Sequence, residues 1–160
     1  MKHNPFQRKT IVLVSCASQK LDGVRRAADL YTSPLFKKSL ALAQRIAPEQ
    51  DIYILSAKHH LLPLDKRIAS YDLYLADLSS SDRMKWAQQV LAQINTAGYD
   101  VQNDGFIILA GRDYYQYLLG PNGIQHYILP LEGLKIGYSM QKLDKLMQLT
   151  QNELMREIGL

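Results

Sequence analysis

TIVLVSCASQKLDGVRRAADLYTSP, residues 10–34, joins a short apolar run to a long polar segment. The run TIVLVSC, residues 10–16, has the aliphatic composition typical of a strand that is buried on both faces. The polar segment that follows is far longer than the roughly two to six residues of a plain connection, and it is rich in Ser, Gln, Lys, Asp and Arg. We therefore expect it to form one wall of a ligand site at the end of the strand.

Three further apolar runs have the same strand-like composition: DIYILSA (51–57), GFIILAG (105–111) and HYILPLE (126–132). Helical patterns lie over 33–47, 79–98, 113–119 and 139–160. Ser33 is expected to cap the first helix, Ser80 or Ser81 the second, and Thr150 to mark a break in the last. Strands that alternate with helices predict an α/β fold, here a three-layer α/β/α domain with a mostly parallel four-stranded sheet.

The composition limits the class of protein. The 160 residues are expected to form a single catalytic domain, with 1–9 as an N-terminal extension and 150–160 as the end of the C-terminal helix. A formal net charge of +4 favours an anionic partner such as nucleic acid. The single cysteine excludes an intrachain disulfide and a multi-cysteine zinc site, so a cytoplasmic location is expected. No apolar run reaches the roughly 20 residues that cross a bilayer, so no membrane partner is expected.

The sequence contains no motif that is typical of a cofactor or metal site. The chain contains no G-x-x-x-x-G-K-[ST] loop and no G-x-G-x-x-G after the first strand, the usual cradles for nucleotide phosphates. The adjacent histidines of KHH, residues 58–60, lack the spacing of a metal site. We therefore expect neither a metal nor a cofactor.

The carboxyl ends of parallel strands meet at one edge of the sheet, where ligands of open α/β folds bind. The segments SCASQK, SAKHHLLPLDKRIASYD, AGRDYY and PLEGLKIGYS are therefore expected to converge on one cleft. In it, Cys16 is a nucleophile or a buried structural residue, and Lys20 is a nucleophile, a leaving-group acid or a solvated lysine. His59 or His60 is expected to donate a hydrogen bond near neutral pH. Asp72 is a catalytic carboxylate or the cap of a short helix.

Aromatic residues follow the third strand. Arg112 precedes Tyr114 and Tyr115, and an arginine beside stacking aromatic rings suits a nucleotide. We expect one tyrosine to lie in the core and the other to stack on a planar ligand.

Four motifs carry a family resemblance over about residues 10–146: SC…K…LYTSPLFKKS, ILSAKHHLLPLDKRIASYD, LAGRDYY and LPLEGLKIGYSMQKL. They resemble a family of small bacterial and phage proteins known as a domain of unknown function. The first motif also resembles the PCS…KPY…S signature of the core domain of archaeosine synthase, which acts on a deazaguanine base in transfer RNA. That domain is more distantly similar to the uracil-DNA glycosylase fold, and the functionally described type that the chain resembles is an antiphage DNA glycosylase for hypermodified bases.

The resemblance implies a set of site residues. They are Ser15, Cys16, Lys20, Tyr31, Ser33, Ser56, Lys58, His59, Tyr71, Asp72, Gly111, Tyr114, Gly133 and Gly137. The chain departs from the family at His60, where relatives have Gly, and at Ser70, where they have Pro. A side chain at position 60 is expected to narrow the pocket or to make a new contact.

The expected function is that of a DNA glycosylase, which flips a modified base out of DNA, including a glycosylated or hypermodified phage base, and hydrolyses its N-glycosidic bond. Asp72 is expected to stabilise the oxocarbenium-like sugar or to activate water, while Lys20 or His59 stabilises the departing base. The base-binding residues would be Ser15, Cys16, Tyr31, Ser56, His60, Tyr71 and Tyr114, and the phosphate-binding residues Arg25, Arg26, Lys58 and Arg112.

Two other functions fit the same residues. One is a transferase that acts on a deazapurine base of transfer RNA, with Lys20 as the covalent or donor-binding residue. The other is a non-catalytic module that binds nucleotides. The formation of abasic sites in DNA, of adducts on RNA, or of complexes without turnover separates the three.

Overall fold

A central sheet organises the computed structural model, which describes residues 8–160. Its parallel strands are β1 (Thr10–Ser15), β3 (Ile52–Ser56), β6 (Gly105–Leu109) and β7 (His126–Ile128). A fifth strand, β4 (His60–Pro63), pairs antiparallel with β3, and the order across the sheet is β4-β3-β1-β6-β7. The mostly parallel α/β sheet is confirmed, but the prediction of four strands is wrong. β4 was missed because the turn between β3 and β4 contains no Gly, Asn or Asp to signal a hairpin.

Both faces of the sheet are buried. Along β1, Ile11 and Leu13 face one side and Val12 and Val14 the other, and each is at most 1% exposed. The helices α2 (Pro34–Ile46) and α5 (Ile136–Met147) pack on the side of Val12 and Val14. On the other side lies α3 (Ser80–Thr96), with Trp86 and Val90 among its buried residues. Continuous aliphatic strands therefore arise because helices cover both faces.

Helix α2 begins as the sequence predicts. Ser33 is its N-cap and accepts a hydrogen bond from the N–H of Phe36 at 3.2 Å, and Pro34 occupies the first helical position. For α3, however, the predicted caps Ser80 and Ser81 are wrong. The cap is Ser79, whose hydroxyl accepts from the N–H of Asp82 at 3.1 Å.

The predicted C-terminal helix is divided in two. Thr150 and Glu153 form a capping box, so α6 (Gln151–Ile158) starts anew after α5. The predicted break at Thr150 is therefore confirmed. The start of α5 at Ile136 lies one turn before the predicted 139.

Four short elements complete the architecture: β2 (Val24–Arg26), α1 (Ala27–Leu30), β5 (Arg67–Ala69) and α4 (Arg112–Tyr115). Strands β2 and β5 pair antiparallel as a separate ribbon. The helix α4 is shorter than the predicted 113–119, and β7 ends before the predicted 132 because turns occupy 129–134. Of the predicted N-terminal extension 1–9, residues 1–7 lie outside the described residues.

The path of the chain creates a switch point between two neighbouring strands. From β1 it passes through α2 to β3 on one side, and later through α3 to β6 on the other side of β1. In open α/β sheets the crevice at such a switch point is where ligands bind. Within residues 8–160 no helix combines the length and the apolar character that crossing a membrane requires.

Candidate functional site

A small cleft lies at the switch point between β1 and β6. Its walls are the residues that end these strands, Ser15 to Ala17 and Leu109 to Gly111, together with the first turns of α2 and α5 and Leu131 and Leu134 from the β7–α5 connection. The cleft encloses about 130 Å³. The predicted convergence of strand ends therefore holds for the segments after β1, β6 and β7.

A large cleft continues from the small cleft. It shares Ala110, Gly111, Leu131 and Leu134 with it and extends over Arg112, Tyr115 and Gly133. Its volume is about 600 Å³. A ligand could therefore place one group in the small cleft and a bulkier group in the large cleft.

The first turns of two helices line the small cleft. Leu35 and Phe36 contribute from α2, and Ile136 contributes from α5. Ser33 caps α2, whereas Lys135, which precedes α5, makes no side-chain capping hydrogen bond. Because the amino end of a helix carries partial positive charge, this arrangement favours negative charge on a group in the small cleft.

Beside the small cleft, three buried hydroxyls form a chain that we call the hydroxyl cluster, consisting of Tyr31, Tyr71 and Ser56. The two phenolic oxygens are 2.6 Å apart, and the Tyr71 oxygen is 2.7 Å from the Ser56 hydroxyl. The Ser56 hydroxyl also accepts from the N–H of His59 at 3.0 Å. Burial raises the pKa of Tyr31 to about 12 and raises that of Tyr71 further, so both phenols stay protonated at neutral pH.

The burial of the hydroxyl cluster corrects part of the predicted base-binding set. Tyr31 is 1% exposed, Tyr71 is 7% exposed, and Ser56 is fully buried. Tyr31 and Tyr71 belong to the core on the side of the sheet that α2 and α5 cover. There Tyr31 packs on Phe36, with ring centroids 5.0 Å apart. The predicted stacking of a base on Tyr31 or Tyr71 is therefore inconsistent with the structure.

Lys20 lies over the hydroxyl cluster. Its Nζ is 4.5 Å from the centroid of the Tyr71 ring, a cation–π distance, and donates to the carbonyl oxygen of Ser18 at 3.1 Å. Burial lowers the pKa of Lys20, while the nearby Cys16 and Asp72 act in the opposite direction. Lys20 is thus electrostatically coupled both to a residue of the small cleft and to an exposed carboxylate.

Asp72 is that exposed carboxylate. Its Oδ1 accepts a hydrogen bond from the Tyr74 hydroxyl at 3.4 Å. The alternative interpretation of Asp72 as a helix cap is wrong, because the 3₁₀ turn Leu75–Asp77 begins after Tyr74 and has no side-chain cap. The carboxylate is therefore free of a capping role and faces solvent.

Cys16 connects the small cleft to the aromatic residues. Its Sγ is 3.3 Å from the Tyr114 hydroxyl, and the side chain lines the small cleft while partly exposed. The Tyr114 ring packs edge-on against Trp86, with centroids 6.1 Å apart, and its pKa is raised by burial. Of the two tyrosines after β6, Tyr114 thus packs between Trp86 and Cys16, and Tyr115 lines the large cleft.

The two histidines lie outside the residues that line the small and large clefts. The His59 ring meets Tyr71 edge-on at 5.4 Å, and within residues 8–160 its buried Nε2 has no hydrogen-bond partner. Burial, followed by the charge of Lys58, lowers the pKa of His59, and burial lowers that of His60. Both imidazoles are therefore neutral at pH 7, which disfavours an imidazolium donor.

His60 has a left-handed backbone, with φ at 63°. It follows the tight turn after β3 and pairs with Ser56 in the register of β3 and β4. Glycine would adopt this conformation without steric cost. The expected narrowing of the pocket by His60 does not fit, since His60 lines neither cleft.

The predicted phosphate-binding residues divide into two groups. Arg26 pairs with Glu49 at 2.6 Å beside the amino end of β3, and Arg25 lies on the same ribbon strand. Neither lines the small or the large cleft. Arg112 lines the large cleft, and the Nζ of Lys58 is 5.9 Å from the centroid of the Tyr71 ring. Arg112 and Lys58 are thus the two cations of this set that border the candidate site.

Sequence reasoning missed two serines of the small cleft, Ser39 on α2 and Ser139 on α5. Each is a polar residue on the buried face of an amphipathic helix. That placement was the available signal, because buried polar groups on such a face require a partner. No group of at least three potential metal ligands occurs in the part of the chain that the structure describes.

Comparison with known proteins identifies a family but assigns it no activity. A model described as a family of unknown function (DUF6884) matches residues 11–145. No curated protein and no solved structure matches the chain. The geometry of the two clefts is therefore the basis for any functional proposal.

Proposed function

The chain belongs to a family of unknown function, DUF6884, and from its own site we propose that it is a DNA glycosylase that hydrolyses the N-glycosidic bond of a modified base and leaves an abasic site. The observation that carries the proposal is the small cleft at the switch point of the sheet, which is lined by Cys16 and by the first turns of two helices.

The size of the small cleft suits one planar ring. It encloses about 130 Å³, and an apolar cavity of about 150 Å³ in another protein binds benzene. A base that is stacked in a duplex could not enter such a space, so the nucleotide would have to be flipped out or be single-stranded. The large cleft beside it offers room for a bulky substituent on the base.

The charges around the small cleft suit cleavage of an N-glycosidic bond. As the bond between C1′ and the base nitrogen breaks, its electron pair leaves with the base and positive charge develops on the sugar. The amino-terminal turns of α2 and α5 would stabilise the negative charge on the base. Asp72 would stabilise the positive sugar and take a proton from the water that attacks C1′.

Lys20 would act between these two charges. Asp72 acts to raise the pKa of Lys20, and the Lys20 Nζ lies 4.5 Å from the centroid of the Tyr71 ring. We assign it the role of a cation that stabilises the departing base. Arg112 and Lys58 would bind phosphates of the DNA strand, which predicts weaker binding as the salt concentration rises.

One observation favours a second candidate function. The lowered pKa of Lys20 increases the neutral fraction of its amine, and a neutral amine is the form that attacks carbon. The corresponding activity is a transferase that acts on a deazapurine base of transfer RNA, with Lys20 as the covalent or donor-binding residue.

The test compares substrates rather than variants. The protein is incubated with duplex and single-stranded DNAs that carry different modified bases, and with transfer RNA that contains deazapurines. The glycosylase predicts alkali-labile sites in at least one modified DNA and none in unmodified DNA of the same sequence. A covalent change on transfer RNA alone would favour the transferase, and binding without any product would favour a non-catalytic module.

A further inference from the structure

Two buried serine hydroxyls on opposite helices border the small cleft. Ser39 on α2 is 2% exposed and Ser139 on α5 is 4% exposed, and both line the cleft. Among residues 8–160, neither hydroxyl is the donor or acceptor of a hydrogen bond. Neither hydroxyl oxygen is fully enclosed by protein atoms. Each therefore opens on the small cleft that its side chain lines.

The surroundings make these hydroxyls unusual. Leu35, Phe36, Leu109 and Leu131 supply apolar walls to the same cleft. A hydroxyl that opens only on such a cleft can bond to water or to a ligand there, so a ligand that displaces the water has to replace its hydrogen bonds. In ligand sites, a few polar groups among apolar walls orient the ligand and select it.

The helices that carry the serines are fixed relative to each other. Lys38 on α2 pairs with Asp144 on α5 at 2.5 Å. Arg45, in the last turn of α2, donates to the carbonyl oxygens of Met147 at 2.9 Å and Leu149 at 2.8 Å at the end of α5. The two hydroxyls are thus held on a preorganised frame rather than on mobile loops.

We propose that Ser39 and Ser139 are specificity-determining residues that hydrogen-bond a hydroxyl-bearing substituent on a single-ring base in the small cleft. A hydroxyl both donates and accepts, so it satisfies one serine as donor and the other as acceptor. The proposal rests on the proposed function for the identity of the ligand. A cleft built to bind a hydroxyl rejects the analogue that lacks it, because the serines then stay buried and unpaired.

The test measures binding of free bases, so it does not depend on bond cleavage. The probes are 5-hydroxymethyluracil and thymine, which differ by one hydroxyl, and affinities are measured by calorimetry for the wild type, Ser39→Ala and Ser139→Ala. The wild type is expected to prefer 5-hydroxymethyluracil by at least tenfold. Each variant is expected to reduce that preference to threefold or less, with little change in the affinity for thymine.

Ser18→Ala, at an exposed position outside the cleft, is the matched control and should keep the full preference. Ser39→Cys and Ser139→Cys fill the space with a weaker hydrogen-bonding group, and they should lose the preference while they keep the thermal midpoint. An unchanged preference in the serine variants, or no binding of either base by the wild type, would overturn the proposal. Selective binding that depends on the serines without cleavage of any DNA would leave the subsite intact and refute the glycosylase.

Discussion

At the level of single residues, the account depends on how Asp72 and Lys20 interact. Burial lowers the pKa of Lys20, while Cys16 and Asp72 act in the opposite direction. Asp72 itself is exposed and is bonded only to the hydroxyl of Tyr74 among residues 8–160. An exposed carboxylate with one long hydrogen bond contributes little to stability, so its replacement can test a role toward a ligand without unfolding the protein.

Replacement of Asp72 tests that role. Asp72→Asn removes the charge that would stabilise the sugar cation, so base release should slow by about 100-fold or more while the unfolding free energy changes little. The matched control is Asp77→Asn, at an exposed aspartate in the following 3₁₀ turn, which should keep full activity. Rates measured under single-turnover conditions within threefold of the wild type would remove Asp72 from the mechanism.

Lys20 separates hydrolysis from covalent chemistry. Its Nζ is held over the Tyr71 ring and bonded to the carbonyl of Ser18, and Lys20 lies outside the residues that line the small cleft. We therefore expect borohydride to trap no Lys20-dependent adduct on substrate DNA, because the amine would have to leave both the Tyr71 ring and the Ser18 carbonyl to attack a carbon atom. A strong covalent band that disappears in Lys20→Arg but persists in Lys58→Arg would show that Lys20 is a nucleophile.

His60 is a test of backbone strain. A left-handed conformation costs an ordinary residue about 1–2 kcal/mol. Glycine avoids this cost but loses about 0.5–1 kcal/mol more chain entropy on folding than other residues do. His60→Gly should therefore raise the unfolding free energy by up to about 1 kcal/mol and leave base selectivity unchanged, since His60 lines neither cleft. His59→Gly, which loses the contact with Tyr71, should destabilise the protein instead. Changed selectivity in His60→Gly at matched folded concentration would contradict the structure.

At the level of elements, two glycines differ in the space that surrounds their Cα atoms. A Cβ at Gly123 would lie against the carbonyl oxygen of Leu118 in the connection between α4 and β7, whereas one at Gly137 in α5 would meet nothing within 4 Å. Gly123→Ala should therefore lower the unfolding free energy by about 2 kcal/mol or more, as overpacking does. Gly137→Ala should be neutral or stabilise by up to about 1 kcal/mol, through helix propensity. Urea denaturation measures both, and equal effects would contradict the packing of this connection.

Elements with strong local signals were predictable from the sequence. The Ser33-Pro34 start of α2 and the Thr150 break are encoded by capping residues within one turn of each boundary. β4 was not predictable, because its turn places His60 in a conformation that histidine rarely adopts. The cap of α3 was misplaced because three consecutive serines offer the same local chemistry, and the fold selects Ser79.

At the level of the whole molecule, the topology predicted where the two clefts lie but not which side chains line them. Ser15, Cys16 and Gly111 line the small cleft because they end β1 and β6, and strand ends follow from the apolar pattern. Tyr31 and Tyr71 turn inward because their hydroxyls satisfy each other and Ser56, which is a tertiary arrangement without a sequence signature. Arg26 likewise meets Glu49, a partner that only the fold brings near. Membership of a family of unknown function is confirmed, whereas relations to archaeosine synthase and to uracil-DNA glycosylases stay predictions.

The central claim is that this protein releases a base from DNA by hydrolysis. The most direct measurement is mass spectrometry of free bases released from a panel of natural and phage DNAs, with abasic sites counted in the same samples. The account predicts one modified base released in equal number to the abasic sites by the wild type and by Asp77→Asn, and at least about 100-fold more slowly by Asp72→Asn. The absence of any released base across modified DNAs, or release that is unaffected by Asp72→Asn, would contradict it.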